Sequence, residues 1–91
     1  MINNEFRLIG TIITDFIASD PVNEKYVVKI EVERKYGKPM NCDLIVSKKN
    51  YLIDVTKSLL GKLVIVNGYL DVNNGGMTMV VQNIMVVGKN E

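Results

Sequence analysis

The chain has 91 residues, 47% of them apolar, and a formal net charge of +1. That length holds one domain around one core, the composition excludes a disordered chain, and the near-zero charge leaves polyanion binding to a local patch. No apolar run approaches the roughly 20 residues of a membrane span, and Met1-Ile-Asn-Asn-Glu5 lacks the basic start of a signal peptide, so a soluble, cytoplasmic domain is expected.

Phe6 to Ile13 (FRLIGTII) reads as a first strand. Phe6, Leu8, Gly10 and Ile12 share one face, and Arg7, Ile9, Thr11 and Ile13 share the other. Gly10 points to a bend. Ser19 to Glu24 contains Pro21 and reads as a loop. Tyr26 to Tyr36 (YVVKIEVERKY) has the cleanest period of two. Tyr26, Val28, Ile30 and Val32 face the core, while Val27, Lys29, Glu31, Glu33 and Lys35 face outward. Gly37-Lys38-Pro39 turns the chain, and Met40 to Ser47 returns as the third strand of a hairpin.

Leu52, Val55 and Leu59 then change the period to three and four. They predict a short helix, with Asn50 as N-cap and Gly61 as C′ residue. Lys62 to Asp71 is the fourth strand. Its first half is apolar on both faces; its second half sets Val66, Gly68 and Leu70 against Asn67, Tyr69 and Asp71. Gly68 marks a bulge, a bend or a close backbone approach. Asn73-Asn74-Gly75-Gly76 predicts a tight turn. Met77 to Val87 is the fifth strand, and Gly88 to Glu91 a polar tail.

The order is β-β-β-α-β-β. It predicts an all-β fold, a five-stranded OB-fold (a Greek-key barrel) with one short helix between strands three and four, in a single domain over residues 1–91. A small barrel of the SH3 type and an α+β sheet are the alternatives.

Four fragments carry a resemblance: Asn4 to Thr14 (NEFRLIGTIIT) followed by Asp20-Pro21; Tyr26 to Arg34; Leu60 to Leu70, with its Gly-x-x-Val-x-Val-x-Gly-x-Leu pattern; and Val81 to Val87. In this order they resemble the bacterial single-stranded DNA-binding protein family, including its primosomal relative. The resemblance implies an OB-fold that binds single-stranded DNA in replication, recombination or replication restart. It implies no cofactor and a homodimer or homotetramer built partly through the first strand, with replication or restart proteins as further partners. The chain departs from the family in having no tryptophan, only Asn73 to Gly76 where a long hairpin often stands, and no acidic flexible tail. A shortened form of the family is expected.

The residues themselves offer a candidate interface. Arg34, Lys35, Lys38, Lys48 and Lys49 flank the hairpin of strands two and three, with Asp43 the one acid between residues 34 and 49. Lysines along a groove bind phosphate by releasing condensed counterions; on a solvated hairpin they only suppress edge pairing. Tyr36 and Tyr69 are the stacking candidates. Phe16 and Tyr51 fit core or rim packing equally well, and Tyr26 belongs with the core. Glu31 and Glu33 oppose phosphate on the same face and fit contact with a charged protein partner. Arg7, Ile9, Thr11 and Ile13 form an apolar outer face of the kind that marks a subunit interface.

Chemistry is poorly provided for. Histidine is absent, and the single cysteine, Cys42, alternates with Met40 and Leu44 as a small buried hydrophobe. With no intrachain disulfide available, the chain suits a reducing compartment. No nucleophile motif, phosphate loop or Cys/His cluster is present, so neither an enzyme nor a metal site is expected. Two functions remain: a sequence-independent single-stranded DNA-binding protein, and an OB-fold protein-interaction or assembly module. The basic hairpin and fourth strand favour the first; the missing tryptophan, low net charge and Glu31/Glu33 favour the second.

Overall fold

The computed structural model describes residues 4–73 and 75–87. Asn74, inside the expected tight turn, and the tail Gly88 to Glu91 lie outside the described residues. The strands are β1 (Glu5–Ile12), β2 (Ile17–Asp20), β3 (Lys25–Val32), β4 (Met40–Ser47), β5 (Leu63–Asn73) and β6 (Gly76–Val86). They form one sheet in the order β1-β5-β6-β4-β3-β2, and pairing of β1 with β3 closes it into a five-stranded barrel. The all-β barrel is therefore as expected.

Two long antiparallel ladders carry most of the pairing, β5 with β6 and β3 with β4. The two seams that close the barrel are short. β1 meets β3 at Thr11–Glu31 and Ile12–Ile30. β4 meets β6 in parallel at Leu44–Met79 and Ile45–Val80. Inside lie Ile12, Val28, Ile30, Leu44, Val46, Val64, Val66 and Val81. They are the inward half of each period-two pattern, and full burial of each such side chain stabilises the fold by about 1.5–3 kcal/mol.

Gly68 sits at a bulge in the β5–β6 ladder, between Asn67 and Gly68. A Cβ there would run into the Val80 carbonyl oxygen and stand 2.8 Å from the Phe6 ring. Close approach of β6 is thus the reason for glycine in this strand. Gly10 plays the same part where β1 crosses to β3, against the Glu31 carbonyl.

The sequence missed β2. Ser19 and Asp20 end a short strand, because Ile17 and Ala18 pair with the free edge of β3 at Val27 and Tyr26. Chain reversal follows at residues 21–24. There Asp20 accepts hydrogen bonds from the side chain and backbone of Asn23, which lower its carboxyl pKa. β3 also ends earlier than expected. Glu33 to Pro39 leave the ladder after Val32 pairs with Met40, so the turn is seven residues long.

The expected helix does not form: no helix occurs among the described residues, and residues 48–62 are a succession of turns. Backbone bonds run from Ile53 to Asn50, Lys57 to Asp54 and Lys62 to Leu59, all of the i to i−3 kind. Polar side chains satisfy the remaining donors. Asn50 accepts from the Leu52 N–H at 2.9 Å, and its amide donates to the Gln82 carbonyl at 3.0 Å. Asp54 accepts from both the N–H and hydroxyl of Thr56, which lowers its pKa. Ser58 donates to Asp15 and accepts from the Leu60 N–H. Short polar side chains compete with the helix for the backbone, and here they win. Asn50 caps a turn instead of a helix, and Leu52, placed on the buried face by the helical spacing, is exposed. Ile53, Val55 and Leu59 close the base of the barrel. Gly61 keeps its left-handed backbone, φ 81°, and its N–H bonds the Ile12 carbonyl at 2.8 Å.

Candidate nucleic-acid interface

Because β4 and β6 run parallel, the start of β4, the end of β3 and the β5–β6 turn share one end of the barrel. The 33–39 connection and the β5–β6 hairpin therefore rise together, one on each side of a groove between β4 and β6. Lys48 and Lys49 follow the other end of β4. At about 3.3 Å per residue, the strand separates them from Met40 by roughly 26 Å or more. The structure thus brings Arg34, Lys35, Tyr36 and Lys38 together and holds Lys48 and Lys49 apart from them.

The 33–39 connection is internally tied. Arg34 Nε donates to the Lys38 carbonyl at 2.7 Å, and the Lys35 ammonium lies 5.7 Å from the Tyr36 ring centroid. All four side chains are exposed. This is a small cationic platform with an open aromatic face.

The register exposes a feature that the sequence reading did not assemble. Glu5, Tyr69, Val80, Ile45, Val27 and Ile17 pair in succession across all six strands. Tyr69, Val80, Ile45 and Val27 alternate with buried or half-buried neighbours, so the row faces outward. From Tyr69 to Ile17 it is an unbroken apolar stripe. Tyr69 (41% exposed) and Ile17 stand open at its ends, with Val80, Ile45 and Val27 half-buried between.

Polar rows border the stripe. Lys25 pairs with Ser47 on one side. On the hairpin side Lys29 Nζ meets Asp43 Oδ1 at 2.9 Å, with side chains 48% and 61% exposed. One row further, Glu31 pairs with Asn41. The middle of this face is near charge balance, and its cations lie toward the 33–39 connection.

Solved structures of similar shape cover almost the whole chain. The dimeric N-terminal domain of PriB from Thermoanaerobacter tencongensis is 21% identical over 94% of this chain and 98% of its own, with a TM-score of 0.69. The mitochondrial single-stranded DNA-binding protein Rim1 of S. cerevisiae is 19% identical over 100% of both chains, at 0.74. The second single-stranded DNA-binding protein of Mycobacterium smegmatis is 14% identical over 99% of both, at 0.66. The fold is the OB-fold of the single-stranded DNA-binding proteins. No family model matches the sequence, nor does any curated protein.

On this OB-fold the remaining candidates separate. Phe16 packs against the core, and Tyr51 stands exposed in the 48–62 segment at the far end from the cationic connection. Arg7 and Ile9 are exposed on the outer face of β1. Arg7 shares a row with Asn67 and Asn83; Ile9 shares one with Ile65 and Met85. Thr11 is half-buried beside Leu63, and Ile13 lies past the strand with its N–H on the Lys29 carbonyl. From Glu5 to Gly10, β1 pairs with β5 on one side only. Cys42 is half-buried against the core. Among the described residues no three of His, Cys, Asp or Glu gather as metal ligands, and no helix is long and apolar enough to cross a membrane.

Proposed function

We infer that the protein binds single-stranded DNA with little sequence preference. The observation that carries this reading is the outward apolar stripe from Tyr69 to Ile17, lying below a cationic connection on an OB-fold. Bases pack on such a stripe without base-specific hydrogen bonds, while Arg34, Lys35 and Lys38 meet phosphates. Proteins of the same fold are single-stranded DNA-binding proteins by name, which supports the reading. Lys48 and Lys49, beyond the far end of β4, serve the trailing part of a longer strand. The role that follows is in replication, recombination or replication restart.

The active unit in this reading is a homodimer or homotetramer. The unpaired edge of β1 and the outer patch of Arg7, Ile9, Thr11 and Ile13, extended by Ile65 and Met85, form its interface. The PriB domain of like fold is dimeric.

A second reading, a protein-assembly module, draws on one observation. The Lys29–Asp43 ion pair and Glu31 leave the centre of the stripe's border without net positive charge.

Fluorescence anisotropy with labelled oligo-dT, titrated with salt, decides between them. DNA binding predicts a dissociation constant in the micromolar range at low salt. With three or four phosphates neutralised, the log–log salt slope is about −2 to −3. Unchanged anisotropy up to about 100 μM protein selects the assembly module, since even non-specific DNA binders reach that range.

A further inference from the structure

Three sulfur atoms converge on one groove. β4 and β6 touch through two register pairs and then part toward the hairpin end. A groove of about 620 Å³ opens there. Cys42, Met77 and Met79 line it, as do Lys29, Asp43 and Ile45. Cys42 and Met79 also pack against the core, whereas Met77 is 65% exposed. Met40, two residues before Cys42 on the same strand, is exposed as well. Ile45 belongs to both stripe and groove, whereas Cys42, Met77 and Met79 lie on the strand faces that carry the buried Leu44 and Val81, so the groove meets the stripe where the strands part.

A thioether is unbranched, polarizable and free about three bonds, and it contacts conjugated rings favourably. It adapts to rings of different size, as a surface without sequence preference requires. The chain has no tryptophan to do this work. Lys29 at the rim is paired with Asp43, while the cationic 33–39 connection at the same end suits an occupant bearing both rings and phosphates. An apolar peptide gains nothing from those cations.

We propose that bases of single-stranded DNA pack in the β4–β6 groove against the thioethers of Met77 and Met79, a contact made by sulfur in place of aromatic stacking. The proposal rests on the DNA-binding reading above and names what touches the base. A sulfur–ring contact corresponds to about two- to twelvefold in affinity.

The test uses the whole chain with ¹³C-methyl methionine. On addition of oligo-dT, the Met77 and Met79 methyl signals shift upfield, while Met85, on the outer face beside Ile65, stays in place. Met77→Gln, at an exposed position that spares the fold, weakens oligo-dT binding several-fold. It leaves binding of an abasic oligonucleotide and the salt slope unchanged. Wild-type protein that binds oligo-dT with both methyl signals unmoved, or a Met77→Gln variant that binds it with full affinity, overturns the proposal and leaves the DNA-binding reading standing. No binding of oligo-dT at all overturns both.

Discussion

Replacing Asp43 with Asn is the sharpest probe of the DNA path. The substitution keeps the shape of the side chain and removes the anion held 2.9 Å from Lys29 Nζ. Both side chains are about half exposed, so the pair contributes little to stability, in the range of 0–1 kcal/mol for surface ion pairs. The unfolding midpoint should fall by no more than about 8 °C in a domain of this size. Binding should respond more. A phosphate seated on Lys29 would lie on the order of 6 Å from the Asp43 carboxylate, where the repulsion in bulk water is about 0.7 kcal/mol. Its removal gives roughly a threefold gain. Freeing Lys29 for one further phosphate steepens the log–log salt slope by about 0.7. The gain over wild type should then shrink about 2.6-fold between 50 and 200 mM salt. Anisotropy at both salt concentrations measures each quantity. An Asp43→Asn variant with wild-type affinity and slope would refute the passage of DNA over this ion pair.

Other substitutions divide the same surface. The double variant Lys35→Glu, Lys38→Glu should flatten the salt slope by about 1.4, two phosphates' worth. Tyr69→Ala should weaken oligo-dT binding by about 1–3 kcal/mol with the slope nearly unchanged, and intact affinity in that variant would remove the ring from the site. Gly68→Ala drives a methyl into the Val80 carbonyl and the Phe6 ring. Overpacking of this kind costs about 1–3 kcal/mol, and each kcal/mol lowers the melting temperature by roughly 4–8 °C. Ile9→Asp sets a charge on the exposed face of β1 and should shift the species seen by light scattering to the monomer without lowering its melting temperature appreciably; an unchanged oligomer would move the interface elsewhere.

The long strands were legible because their patterns are local. Val28, Ile30 and Val32 alternate with Lys29 and Glu31, and such alternation needs only a half-buried face. Two elements were not legible for opposite reasons. Ile17 to Asp20 has no pattern of its own and becomes a strand because β3 offers it an edge. Residues 50–61 carry a helical spacing, yet Asn50, Asp54 and Ser58 each capture nearby backbone donors, so the spacing of Leu52, Val55 and Leu59 loses to side-chain capping. At the site, the cluster around Arg34 could be read because its members are adjacent in sequence. The stripe through Val80, Ile45, Val27 and Ile17 could not, since it depends on a parallel register between strands more than thirty residues apart. Placement of the apolar Val27 on the same outward face as Lys29 was the one hint.

The two short seams also divide the barrel into halves with different histories. β3 and β4 form a hairpin that closes over a seven-residue loop, and β5 and β6 form another. Each can assemble from local contacts within microseconds. β1 must find β5 across a separation of more than fifty residues before either half is enclosed. Joining distant segments carries a loop-closure cost that comes before its reward, so that docking sets the folding rate. The amide proton of Ile13, bonded to the Lys29 carbonyl across the β1–β3 seam, then belongs to the first that exchange when the barrel breathes, while that of Val28, inside the β3–β4 hairpin, reports global unfolding.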